Sequence, residues 1–158
     1  MQIELHFAIM NIAGHFWGAM IDSEAVNHEK PHILIVEDNP VAATVEKILM
    51  VGLNCEVDIA VTGEDAVNLV KERQYELILM DLGLPGIDGI QACKIINKYV
   101  IDENKPPIPI IAVTANADSQ QHLLCKQAGM SDVVTKPLTP DKAQHILAIL
   151  KHDSELAE

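Results

Sequence analysis

Basic residues, cysteine, aromatics and long apolar runs are all scarce in this sequence, and each shortage removes a class of protein. Eleven Lys and Arg stand against 23 Asp and Glu, a formal charge of −12. A field of that sign repels phosphate backbones and anionic lipid, which weighs against nucleic acid or membrane as partner and suits cations or a basic protein surface. The three cysteines, Cys55, Cys93 and Cys125, are odd in number and form no C-x-x-C pair. That excludes a disulfide framework or a structural zinc site and points to reduced thiols in a cytoplasmic core. The first twenty residues carry no Lys or Arg, and Glu4, His6, Asn11 and His15 break the apolar stretch. Neither a secretory leader nor a membrane span of about 20 apolar residues fits them. No G-x-x-x-x-G-K-[ST] cradle is present, and no G-x-G-x-x-G follows the first strand pattern. His28-Glu29-Lys30-Pro31-His32 has the zinc-protease spacing H-E-x-x-H, but Pro31 falls inside the helical turn that two ligating imidazoles need.

What is there is a globular chain of 158 residues, 49% hydrophobic and 22% charged, enough for one sizeable core and too short for a second full domain beside it. The aromatics divide it near Pro31. Phe7, Phe16 and Trp17, both phenylalanines and the only tryptophan, lie in residues 1–30, an extension readable as an amphipathic helix, the end of an upstream domain or an added leader. From Pro31 a regular alternation begins. His32–Val36 is a continuous apolar run, as in a strand buried on both faces. Asn39-Pro40 predicts an N-cap with proline at the first helical position, opening a helix through Val45, Ile48 and Leu49 that stops at a left-handed Gly52. Residues 57–61 predict a second, peripheral strand, and Thr62 with Asp65 a capping pair for a helix facing inward with Ala66, Leu69 and Val70. Leu77–Met80 predicts strand three, followed by a helix around Ile90–Tyr99. Ile108–Val113 predicts strand four with Pro109 tolerated near its start, then a helix over Asp118–Ala128 closed by Gly129. Asp132–Thr135 predicts strand five, and Thr139-Pro140 the start of a last helix with Ile146, Leu147 and Leu150 on its apolar face. Five strands alternating with five helices call for an α/β fold, a doubly wound parallel sheet with helices on both faces. His122, His145 and His152 are expected on helix surfaces, and the methionines in the packing.

The strand ends carry the chemistry. Glu37 and Asp38 follow strand one, Asp81 follows strand three, Thr114 closes strand four and Lys136 follows strand five. Open α/β sheets bind ligands beyond the carboxyl ends of their strands, where the order reverses. In a sheet ordered 2-1-3-4-5 strands one and three are neighbours there, so three carboxylates converge on one crevice. Acids that close raise one another's pKa, and a hard divalent cation relieves them; oxygen-only ligation favours Mg²⁺. With that ion and Lys136 offsetting phosphoryl charge, Asp81 can act as a nucleophile toward phosphorus, and Thr114 can donate a hydrogen bond to the product.

Ile35-Val36-Glu37-Asp38-Asn39, the run Met80-Asp81-Leu82-Gly83-Leu84-Pro85-Gly86-Ile87-Asp88-Gly89, Val113-Thr114-Ala115 and Lys136-Pro137 together resemble the receiver domain of two-component response regulators. The stretches Ala112–Ala117 and Ala128–Val133 are most similar to receivers of hybrid sensor histidine kinases. The resemblance covers residues 31–152 as the domain and leaves 153–158 as a tail. It implies a flavodoxin-like five-stranded sheet in the order 2-1-3-4-5. It also implies that Asp81 is the phosphoacceptor for a histidine of a sensor kinase or a phosphotransfer domain. Asp38 then binds Mg²⁺ directly and Glu37 through water, while Asp81 ligates with a side-chain oxygen and Gly83 with its carbonyl. Thr114 and Lys136 contact the phosphoryl group, flanked by Ala115 and by Pro137 in a cis peptide bond.

The sequence departs from the family pattern at Val133, where an aromatic switch residue often stands, so signalling must rely on loop and helix shifts. Asn116 and Gly83 flank the water path to the phosphoryl group. No effector domain follows the last helix, so the expected output is protein contact through the fourth helix, fifth strand and fifth helix, with a homodimer among the compatible arrangements. The expected setting is cytoplasmic, free or tethered through a longer hybrid kinase. Two other functions compete. One is an aspartyl-phosphate phosphatase, which usually needs a second acid where Gly83 stands; the other is a receiver-like interaction module that is never phosphorylated.

Overall fold

The computed structural model describes residues 30–155. Five strands, β1 (His32–Val36), β2 (Glu56–Ala60), β3 (Leu77–Asp81), β4 (Ile110–Thr114) and β5 (Asp132–Thr135), form one parallel sheet in the order β2-β1-β3-β4-β5. Helices α1 (Pro40–Gly52), α2 (Gly63–Glu72), α3 (Gly89–Asp102), α4 (Ser119–Gln127) and α5 (Pro140–Glu155) connect and flank it. The fold is the doubly wound arrangement that the sequence pattern predicts.

Alternate residues of each strand feed opposite cores, because side chains along a strand point to opposite faces. Leu34, Val36, Ile78, Met80, Ile110 and Ala112 pack with Ala66 and Val70 of α2, Ile96 of α3 and Cys125 of α4. Ile33, Ile35, Leu77, Leu79, Ile111 and Val113 pack on the other face with Met50 of α1 and Ile146 of α5. Every residue of β3 and β4 is therefore buried, which is why these strands read as unbroken apolar runs.

The predicted caps are present. The Asn39 side chain accepts N–H groups from Val41 and Ala42, Thr62 Oγ1 accepts from Asp65, and Thr139 Oγ1 accepts from Lys142 at 3.4 Å; Asp118, a cap the sequence did not single out, accepts from Gln121. Gly129 takes a left-handed φ of 90° after α4, as a helix-closing glycine should.

Four details differ from the sequence expectation. Gly52 is the last helical residue and is not left-handed; Asn54 supplies the positive φ, 66°, and asparagine tolerates that region better than other side chains. β2 lies one residue earlier than predicted, at Glu56–Ala60, because Glu56 pairs with His32. β4 begins at Ile110, leaving Pro109 outside the strand, where its carbonyl still accepts the Ile78 N–H. α5 continues to Glu155, through part of the expected tail.

Helix α1 holds the largest surprise. It buries Ala43, Glu46 and Met50 and exposes Val41, Val45, Ile48 and Val51; the sequence placed Val45 and Ile48 in this helix without assigning them a face.

Candidate functional site at the carboxyl edge of the sheet

Strand register builds the site. Val36 lies opposite Met80, Asp81 opposite Val113, and Thr114 opposite Thr135. The residue after each last aligned pair therefore arrives at the same edge: Glu37 beside Asp81, Thr114 one step beyond, Lys136 beyond that. The Glu37 N–H donates to the Ala60 carbonyl and the Lys136 N–H to the Thr114 carbonyl, extending the ladder past the strand ends.

Glu37, Asp38 and Asp81 each present a carboxylate oxygen within 4.8 Å of the others. Glu37, Asp81 and Thr114 are buried, whereas Asp38 is open to solvent. Each buried acid is held at both oxygens. The Asn39 N–H donates to Glu37 Oε1 at 2.9 Å, and Lys136 Nζ to Oε2 at 2.5 Å. The Gly83 N–H donates to Asp81 Oδ1 at 3.0 Å, while Lys136 Nζ lies 3.2 Å from Oδ2. One half-buried ammonium thus bridges two buried carboxylates. Burial works to lower the Lys136 pKa, but its hydrogen bonds and charge contacts with Asp81 and Glu37 prevail and raise it, so it stays cationic.

Gly89 sets the seat of Asp81 from behind. A Cβ there would fall 2.2 Å from the Asp81 carbonyl oxygen and 2.9 Å from Leu82 Cα, so only glycine lets α3 start this close to the strand. The Asp88 capping box with Gln91 opens the same helix. The loop between β3 and α3 is pinned from α2 by Glu64, whose carboxylate accepts the Ile87 N–H at 3.2 Å.

Of the remaining expected positions, Ala115 and Pro137 are also at this edge, and Val133 sits further back in β5. The Thr114 hydroxyl accepts the Asn116 N–H at 3.3 Å, Ala115 is exposed, and Val133 lies half-buried in β5 opposite Ala112. Lys136-Pro137 is cis, as the resemblance implied. The Asn116 side chain turns to Asp118, 3.0 Å away.

Three features escaped sequence reasoning: the Asn39 backbone clamp, Gly89 and Glu46. The last is buried on α1, and its carboxyl is pushed up to about 7 by burial first and then by the charge of Glu37. Its place among Ala43 and Met50, three and four residues away on the inward stripe, was the available signal.

The zinc-protease spacing dissolves. His28 and Glu29 lie outside the described residues, and His32 Nε2 contacts Asp58 at 3.0 Å. His122 and His145 are exposed, and all three cysteines are free and buried.

Three carboxylates of hard oxygen, two of them buried and only partly neutralised by one lysine, suit a small divalent cation. An acid nest, a lysine and a hydroxyl at the switch point of such a sheet belong to the doubly wound domains that handle phosphate through an aspartate. Within that class the sequence profile of the response regulator receiver domain matches residues 33–148, and the chain belongs to this family, the receivers of two-component phosphorelays.

Its relatives include the transcription factor SKN7 of Candida albicans, 32% identical over 140 residues, 89% of this chain and 24% of that protein. The sensor protein GacS of Pseudomonas syringae pv. syringae is 36% identical over 109 residues, 69% of this chain and 12% of the relative. The chain thus spans a quarter or less of these two proteins. Among solved structures, the co-crystal of the Saccharomyces cerevisiae phosphotransfer protein Ypd1 with the receiver domain of Ssk1 superposes with a TM-score of 0.68 at 30% identity. It covers 75% of this chain and 84% of that one.

Proposed function

We propose that Asp81 is the phosphoacceptor and that Glu37, Asp38, Asp81 and the Gly83 carbonyl hold Mg²⁺ beside it. The observation that carries this reading is the single nest in which Asp38, Glu37 and Asp81 converge while Lys136 reaches both buried acids. When bound, Mg²⁺ supplies charge neutralisation and in-line orientation to the incoming phosphoryl oxygens. The Gly83 N–H and Lys136 fix the Asp81 carboxylate, so one of its oxygens can attack phosphorus while the P–N bond to a donor imidazole breaks and the imidazole leaves with its electron pair. Lys136 then shifts from two carboxylates to one carboxylate and a phosphoryl oxygen, and the Thr114 hydroxyl turns to donate to another. The chain serves as a switch and phosphate carrier and does not turn over an external substrate; labelling by small donors and slow self-hydrolysis belong to the same pocket.

The donor is a histidine on a sensor kinase or a phosphotransfer domain. The yeast co-crystal supports that partner class, and the exposed apolar stripe of α1, which starts beside Glu37 and Asp38, gives such a partner a landing face. Output follows the α4, β5 and α5 face, where Leu123 and Leu124 are exposed and Val133 replaces an aromatic ring. No helix among the described residues is long and apolar enough to cross a membrane, and three free buried thiols accord with a reducing, cytoplasmic setting.

Incubation with acetyl phosphate and Mg²⁺ tests the reading by intact mass. The expected result is a labile gain of one phosphoryl group, lost on chelation and absent in Asp81→Asn. A protein that stays unmodified overturns it.

A further inference from the structure

The edge of the sheet opposite Asp81 carries a cavity of about 350 Å³. Tyr75 and Glu76, which lead into β3, and Ile108 and Pro109, which lead into β4, line it together with Val70, Val100 and Leu150. Its volume is that of a small-ligand pocket, but its polar groups are few. Its charged groups are Arg73, which is paired with Asp58 at 2.8 Å, Lys105 and the acid Glu76. Lys105 Nζ donates to the Tyr99 hydroxyl at 2.6 Å and sits 4.6 Å over that ring, and among the described residues no carboxylate pairs with it.

The chain enters the sheet beside this hollow. The His32 N–H donates to Glu76 Oε2 at 2.7 Å, the Glu76 N–H returns to the His32 carbonyl at 2.9 Å, and the His32 ring lies 4.6 Å from that of Tyr75. Whatever precedes Lys30 therefore starts next to the cavity lining. The preceding residues 1–29 contain Glu4, Asp22, Glu24 and Glu29 and no Lys or Arg, together with Phe7, Phe16 and Trp17. Its aromatic side chains complement the apolar lining, and its acids complement Lys105. Trp17 stands 13 positions before Lys30, and a flexible coil of that length spans about 20 Å, ample to reach.

We propose that the Phe16-Trp17 stretch of this chain docks in the cavity bounded by Tyr75, Ile108 and Lys105, at the amino edge of the sheet and away from the Asp81 nest. The contact is independent of whether Asp81 accepts a phosphoryl group.

The test places the photo-crosslinker p-benzoylphenylalanine at position 17 of the full chain, irradiates an equal mixture of isotopically light and heavy protein, and maps adducts by mass spectrometry. Docking within the chain predicts adducts to residues 70–76 or 100–109, joining light to light and heavy to heavy. In otherwise unaltered protein, Lys105→Glu, an exposed substitution, is expected to red-shift the Trp17 emission and raise its quenching by acrylamide toward that of the isolated 1–29 peptide. Adducts to α1 or α4, adducts joining light to heavy chains, or no adduct at all would overturn the proposal. So would adducts at 70–76 or 100–109 accompanied by Trp17 emission that already matches the free peptide.

Discussion

Among single residues, Glu46 runs against the usual behaviour of a carboxylate. Salt-bridged acids are commonly held below their ordinary pKa, but Glu46 is buried behind the nest, where burial first and then the charges of Glu37 and Asp81 outweigh Lys136 and push it from 4.5 to about 7. An acid whose folded value is raised supports the fold most fully below its unfolded value of 4.5 and loses that support as pH climbs through about 7. The loss is at most about 3 kcal/mol, and smaller where Glu37 and Glu46 share the strain. Glu46→Gln keeps the shape without the charge. Urea unfolding in EDTA at pH 5 to 8 is expected to show the wild type falling relative to Glu46→Gln as pH rises, with the gap widest at pH 8. Parallel curves would place the carboxyl in a more solvated setting. Lys136 has the complementary role: it compensates two buried acids, so its charge is a structural need before it is a catalytic one.

At the scale of elements, α1 and α3 press on the site from two sides. α1 presents Val41 at 72% and Ile48 at 65% exposure, more than a solvated helix face needs, directly after the acid pair. Ile48→Asp is expected to slow transfer from a phosphohistidine donor about tenfold while changing stability by less than about 0.5 kcal/mol. Labelling by acetyl phosphate should be unaffected, since that donor needs no docking face; an equal loss with both donors would show damage to the pocket itself. α3 acts through Gly89. Gly89→Ala forces a methyl group against the Asp81 carbonyl, so a loss of about 2 kcal/mol in urea unfolding is expected, together with slower acetyl phosphate labelling as Asp81 is displaced.

These two helices also mark what the sequence could tell. Strand identity, the caps at Asn39, Thr62 and Thr139, and the acids at the strand ends were legible because local chemistry alone decides them. The direction of α1 was not. Apolar residues lie on both its sides, Val41, Val45 and Ile48 against Ala43 and Met50, and periodicity finds a stripe without saying which of two is covered. Gly89 was legible as a motif letter, but the 2.2 Å reason for it exists only once α3 and β3 are packed. Glu46 was missed for a similar reason: a charge on a helix is normally solvated, and only burial beside Glu37 reveals otherwise.

Over the whole molecule, the sheet keeps two cores apart and gathers charge at its carboxyl edge. Three acids less one lysine leave a local charge of −2 in the nest. Mg²⁺ bound there stabilises only the folded state, by about 2.7 kcal/mol at a hundred times its dissociation constant. A rise in the thermal midpoint with MgCl₂, beyond that produced by NaCl of equal ionic strength and diminished in Asp81→Asn, is the expected signature. Equal responses to the two salts would mean general screening of the −12 net charge and no defined ion.

Because Glu37, Asp81, Thr114 and Lys136 each stand one step past an aligned pair, the span of the pleated segments acts as a caliper. Adding or deleting one residue inside β3 would turn Asp81 to the opposite face, parting it from Glu37 and Lys136 at a stroke. The helices and turns carry no such arithmetic. Descendants of this chain can therefore lengthen or trim their outer connections freely, while the count of residues from Leu77 to Asp81 stays fixed for as long as the chemistry survives.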